Sequence, residues 1–182
     1  MSRSNRRSET QAVERSEADW EELARQVALR QLNAAPRSRA QLAAKLAAKE
    51  VPEVIAVRIL DRFTEVGLID DAAYAGMLVR TRHAERGLSR RALALELRRK
   101  GIDDEVAETA LAQVEPEDED AAARQVAAKK ARATTGLDYE VRRRRIAAAL
   151  GRKGYPPGVC FRVTESVLQD EAADSDGAVH AE

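Results

Sequence analysis

Aromatic residues are scarce in this chain, at 3% of 182 residues, with a single Trp, two Phe and three Tyr. Ala, Leu, Glu and Arg dominate instead, a composition that suits close packing of small-faced helices better than a sheet. Cysteine is reduced to Cys160, which excludes an internal disulfide. With only His83 and His180 beside it, the chain offers no metal-ligand spacing. No Gly-rich phosphate loop or nucleophile elbow occurs, so an enzyme reading is weak. No run approaches the roughly 20 apolar residues of a membrane span. Met1 to Arg15 is polar and lacks the apolar core of a signal peptide. The expected location is the cytoplasm.

One phrase, in contrast, occurs three times. Leu46-Ala47-Ala48-Lys49-Glu50-Val51, Leu97-Arg98-Arg99-Lys100-Gly101-Ile102 and Leu150-Gly151-Arg152-Lys153-Gly154-Tyr155 are spaced by 51 and 53 residues. Each closes a helical pattern with a Lys, a break and one large apolar residue, and a second helical pattern follows. The pairs Leu42/Leu46, Leu93/Leu97 and Ile146/Leu150 are four apart and share a helix face. Ile55/Ile59/Phe63, Val106/Ala110/Val114 and Val159/Val163/Val167 form a second stripe. Ser38 with Gln41 has the form of a capping box, and Ser89 that of an N-cap. Gly101 and Gly154 suit a helix stop, whereas the first copy carries Glu50 there and relies on Pro52.

These patterns predict an all-α chain with no strands. A first helix at about 19–34, 72–86 and 117–134 precedes each patterned pair. The result is three tandem three-helix repeats, helix-turn-helix-like, in an extended, curved array. The expected divisions are 1–16, a disordered tail; 17–66, 67–114 and 115–171, the three repeats; and 172–182, a disordered acidic tail.

Positive and negative charges balance over the whole chain but not along it. Arg80 to Gly101 holds eight basic residues against Glu85 and Glu96. Arg124 to Lys153 holds ten against Asp138 and Glu140. Such segregation points to an anionic partner, either nucleic acid or an acidic protein groove. On a helical wheel Leu93, Ala94 and Leu97 face the core, while Arg91, Leu95, Arg98 and Arg99 occupy another side. Leu95 either meets a partner or packs between repeats. Arg91, Arg99 and Lys100 align with Arg144, Arg152 and Lys153, where the first repeat offers Ala40, Ala48 and Lys49. The basic face, whether simply solvated or partner-binding, is thus confined to the second and third repeats. In the run 142–145, Arg144 and Arg145 point furthest from the apolar stripe, and Arg142 and Arg143 are expected to flank it and snorkel. Cys160 aligns with Ala56 and Ala107 and reads as a packing residue. Asp70-Asp71 reads as a helix cap rather than a metal site, and Trp20 as an anchor of the first helix.

Leu68-Ile69-Asp70-Asp71-x-x-Tyr74-Ala75, then Arg80-Thr81-Arg82, Gly87-Leu88-Ser89 and Leu97-Arg98-Arg99-Lys100-Gly101-Ile102 together resemble the RecX family of bacterial recombination regulators. Upstream, Pro36-Arg37-Ser38-x-x-x-Leu42-x-x-Lys45-Leu46 resembles that family's first repeat. The resemblance runs from about residue 25 to 168. It implies three three-helix repeats, binding to the RecA recombinase and its filaments on single-stranded DNA, and inhibition of RecA ATPase and strand exchange. It also implies a protein that is not an enzyme and needs no cofactor.

The residues expected to bind RecA or DNA are Arg80, Arg82, Arg91, Leu95, Arg98, Arg99, Lys100, Arg144, Arg145, Arg152 and Lys153. The chain is expected to act as a monomer. It would block filament growth and so modulate recombination, DNA repair and the SOS response. The alternative is nonspecific or helix-turn-helix-type DNA binding without RecA. The third helices begin Pro52-Glu53, Asp103-Asp104 and Pro156-Pro157, and acidic or proline starts fit phosphates poorly.

Overall fold

A computed structural model describes residues 15–179, with side chains placed up to Ala173. Among these residues there are nine helices and no strand: α1 (Glu17–Ala34), α2 (Arg39–Ala47), α3 (Glu53–Glu65), α4 (Asp71–Arg86), α5 (Arg90–Arg99), α6 (Asp104–Leu111), α7 (Pro116–Arg132), α8 (Tyr139–Arg152) and α9 (Pro157–Val179). Residues up to Arg37 with Gln41–Ile69 form one compact unit, and Ser38–Ala40 with the chain from Asp70 onward form a second.

In the first unit α1 opens on a reciprocal cap. The Asp19 amide donates to the Ser16 hydroxyl at 3.2 Å, and the Ser16 amide donates to the Asp19 carboxylate at 3.1 Å. Ala24 and Ala28, four apart and fully buried, bring α1 close to Leu42, Leu46, Ile55, Ile59 and Phe63. Trp20 packs against this core, and the Arg15 guanidinium lies 4.7 Å from its ring centroid. Arg58 on α3 reaches Glu17 and Glu21 of α1 at 2.7 and 2.5 Å.

The repeated phrase is a helix-ending turn made the same way three times. The amides of Val51, Ile102 and Tyr155 donate to the carbonyls of Leu46, Leu97 and Leu150 at 3.2, 3.2 and 3.4 Å. One residue earlier, Glu50, Gly101 and Gly154 stand in the left-handed region at φ 59°, 71° and 89°. This is the Schellman stop, in which two orphan carbonyls are satisfied and the next apolar side chain folds back on the helix. Glu50 takes the turn without glycine, at a cost of roughly 1–2 kcal/mol. The stop in the first repeat is therefore made by Glu50 itself, ahead of Pro52.

The second unit holds two further cores. Ala75, Val79, Leu93, Leu97, Ile102 and Ala110 form one. Ala123, Ala127, Ala131, Ile146, Leu150 and Val163 form the other. Burying each Leu fully contributes about 1.5–3 kcal/mol. Ser89 caps α5 by accepting the Ala92 amide at 3.2 Å, and Asp70 caps α4 by accepting that of Ala73 at 2.8 Å.

The second and third repeats join where the turn at Lys153-Gly154-Tyr155 presses on the start of α5. The Ser89 amide donates to the Lys153 carbonyl at 3.0 Å, the Arg90 amide to the Glu119 carboxylate at 2.9 Å, and the Tyr155 hydroxyl to the Gly87 carbonyl at 3.1 Å. The approach is close enough that a Cβ on Gly154 would lie 2.6 Å from Ala92 Cβ and 2.7 Å from Ser89 Oγ. Ser38 and Arg39, which belong to this unit, repeat the pattern. The Ser38 hydroxyl donates to the Lys100 carbonyl at 2.6 Å, and the Arg39 amide to the Asp71 carboxylate at 2.8 Å. Burial at the joint, with the Glu119 and Asp120 charges nearby, pushes the Tyr155 phenol up to about 12.

The third repeat departs from the second at both ends of its patterned pair. Its connector, residues 133–138, is longer than residues 87–89, and α8 starts earlier, at Tyr139. Its last helix continues to Val179, so residues 172–179 are helical where the sequence reading places a disordered acidic tail. Glu171, paired with Arg142 of α8, anchors this stretch at its start, and the Ala172-Ala173 that follow favour helix. The expected disorder at residues 1–14 and 180–182 falls outside the described residues.

Candidate partner interface

Because Ser89 fixes where α5 begins, Arg91, Leu95 and Arg99 fall at four-residue spacing along one side of it. They form one wall of a cleft of 530 Å³ between α5 and the end of α8. Lys100 and Arg152 complete its basic lining, and Gly151 and Gly154 leave it open on the α8 side. Leu95 is 48% exposed, so it stands in the cleft wall rather than buried between repeats. Arg91, Arg99 and Arg152 are exposed and make no ion pair among the described residues. An apolar residue ringed by unpaired guanidiniums can hold carboxylates or phosphates bidentately around a small apolar contact.

Glu96 also lines this cleft, but its charge is already used. Arg82 of α4 donates to it at 3.0 Å, and both side chains are mostly buried, at 29% and 23% exposure. Arg82 thereby ties α4 to α5. Its burial follows from its place on the α5 side of α4, which the basic run in the sequence conceals.

The remaining candidates are dispersed. Arg80 donates to the Gln113 side chain at 3.1 Å. Arg98 stands 3.6 Å from Asp104, with both side chains exposed, an arrangement worth little. Arg145 is exposed on α8. Arg144 lines a separate groove between α8 and α9. Lys153 lines a third cleft, of 480 Å³, together with Arg86, Lys129 and Lys130. Those three cations belong to the two basic segments but not to the residues expected to bind a partner.

Arg142 does not snorkel. Its side chain is only 17% exposed and is held by Glu171 of α9 and the Ala131 carbonyl at the end of α7. Arg143, half exposed, lies 3.0 Å from Glu140 and 3.7 Å from Glu165. Arg124 and Arg162 converge on Asp120 at 2.8 and 2.7 Å, and these hydrogen bonds hold its carboxyl below the usual carboxylate range.

Cys160 is buried, its thiol donates to the Tyr155 carbonyl at 3.4 Å, and burial pushes that thiol up, the opposite of an activated nucleophile. Among the described residues no cluster of His, Cys, Asp and Glu is placed to hold a metal ion. No helix among them is long and apolar enough to cross a membrane.

Comparison with known proteins places this chain in a family. Residues 24–63, 70–111 and 117–164 match the first, second and third three-helix domains of RecX. The chain is 47% identical over 155 residues to a regulatory protein RecX of Streptomyces coelicolor, covering 85% of this chain and 82% of that protein. It is 44% identical over 153 residues to that of Thermobifida fusca, covering 84% and 83%. Its fold is similar to a crystal structure of RecX from Lactobacillus salivarius, with a TM-score of 0.71 at 25% identity over 84% of this chain and 99% of that one.

Proposed function

The chain belongs to the RecX family, and from that premise we propose that it binds the RecA recombinase and RecA filaments on single-stranded DNA. In this reading it inhibits RecA ATPase, strand exchange and filament growth, acts in the cytoplasm, and modulates recombination and DNA repair. The observation that carries the reading is the cleft that gathers Arg91, Arg99, Lys100 and Arg152 around Leu95. Its chemistry fits acidic side chains around an apolar anchor, as a protein interface requires. The mechanism is binding and obstruction rather than catalysis: a chain seated on the filament stands in the way of incoming DNA and of added protomers.

DNA binding without RecA has weaker support. The third helices begin with proline or acidic residues, and Asp103 and Asp104 sit at the N-terminus of α6, where a reader of base edges would present Arg, Asn or Gln. The deciding experiment measures RecA ATPase on single-stranded DNA, and separately the binding of bare DNA, for the wild type and for an Arg91→Glu, Arg99→Glu, Arg152→Glu variant. The wild type is expected to inhibit at equimolar ratio, and the variant to need at least about tenfold more protein, near 1.4 kcal/mol of lost interaction. An ATPase unchanged by the wild type at equimolar ratio overturns the reading. Bare-DNA binding that accounts for all inhibition, and that falls steeply with salt, favours the alternative.

A further inference from the structure

A groove of the second unit, mainly apolar, lies beside the basic cleft. It measures 840 Å³, runs between α8 and α9, and is walled by Val141, Ala147, Tyr155, Cys160 and Phe161. Phe161 is 61% exposed, the most exposed aromatic side chain among the described residues. Thr164, at the groove wall and 1% exposed, has a hydroxyl with no hydrogen-bond partner among the described residues. Arg144 lines the groove with no ion pair among the described residues, whereas Arg143 there is occupied by Glu140 and Glu165.

Gly151 lines both this groove and the basic cleft. It is the last but one residue of α8, outside the left-handed region, and a Cβ added there would meet nothing within 4 Å. No described residue packs against this position, and glycine favours a helix less than alanine does. A bare backbone at such a place leaves room for the close approach of another chain. At the equivalent positions the other repeats carry Ala47 and Arg98.

We propose that Gly151 is the saddle of one continuous docking track, apolar in the α8/α9 groove and basic in the cleft beyond. Its occupant is an amphipathic helix of a partner protein whose apolar face carries acidic flanks. From Glu140 to Gly151 the groove follows α8 for about 16 Å, room for three helical turns. A groove between two helices is the usual seat for such a helix. The partner's apolar anchor lies against Phe161. Its acidic residues meet Arg144 at one end and Arg91, Arg99 and Arg152 at the other. A nucleic-acid backbone would match the arginines but has no apolar face for the groove. The inference rests on the reading that the partner is the RecA filament, and it specifies the partner's chemistry.

Gly151→Leu and Phe161→Ala test it in the full chain, with thermal midpoints measured alongside binding to RecA–single-stranded DNA filaments, to RecA alone and to a bare oligonucleotide. The midpoint of Gly151→Leu is expected at or above that of the wild type, since the site is empty and helical, and that of Phe161→Ala close to it. Both variants are expected to bind the filament and free RecA at least tenfold more weakly and bare DNA unchanged. Filament binding equal to the wild type in both variants overturns the docking track while leaving the RecA reading intact. An equal loss on bare DNA also overturns it, by making the occupant nucleic acid. A wild type that binds neither RecA nor its filament overturns the parent reading and the track together.

Discussion

Replacing Gly154 by Ala separates two demands that the repeated turn makes on one residue. The first is conformational: at φ 89° an L-side chain costs roughly 1–2 kcal/mol. Gly136, also in the second unit, measures this demand alone, because it stands at φ 83° with nothing within 4 Å of an added Cβ. The second demand is space. At Gly154 the new methyl would lie 2.6 Å from Ala92 Cβ, 2.7 Å from Ser89 Oγ and 3.2 Å from the Ala92 amide nitrogen. These atoms sit on or beside the backbone of α5 and cannot swing aside, so the turn must withdraw. Overpacking of this kind costs about 1–3 kcal/mol. Withdrawal also loosens the hydrogen bond from the Ser89 amide to the Lys153 carbonyl, worth about 1 kcal/mol net. The expected loss is then about 3–6 kcal/mol for Gly154→Ala, against about 1–2 kcal/mol for Gly136→Ala. Urea unfolding of both variants, read from midpoints at unchanged slope, checks the difference. Losses equal to within about 0.5 kcal/mol would show that the turn merely needs a left-handed residue and that the joint is not tightly packed.

Two further outcomes follow from the same turn. Glu50→Gly is expected to stabilise the chain by about 1 kcal/mol, since Glu50 holds φ 59° without glycine, and a raised urea midpoint is the check. The Tyr155 phenol, pushed up to about 12 mainly by burial, favours its neutral form in the fold; its contribution is full below pH 10 and is lost as pH rises toward 12. By about 1.36 kcal/mol per pH unit this amounts to 2–3 kcal/mol, so Tyr155→Phe should flatten the alkaline decline in urea midpoint that the wild type shows.

What was legible in the sequence was whatever repeats with a period. Leu46, Leu97 and Leu150, with Val51, Ile102 and Tyr155, announce the helix ends because burial and the Schellman turn both act within a few residues. Ser89 and Asp70 announce caps for the same reason. The site was only half legible. The helical wheel groups Arg91, Leu95 and Arg99, and the structure keeps them together. The wheel cannot show that Arg82 is consumed by Glu96, or Arg142 by Glu171, because those partners come from other helices. Nor can it show that Gly151 faces open space, since a glycine in a helical pattern first suggests a helix end. The continuation of α9 past Ala172 was hidden by acidic composition, which suggests disorder where Arg142 and Glu171 anchor a helix.

A chain of like units joined by one turn lodged against the next helix has no inherent copy number. At Gly154 the joint leaves no room even for a methyl group, yet the first copy of the turn carries the full side chain of Glu50. A further unit could not be added upstream by the joint that links the second and third repeats unless this residue changed first.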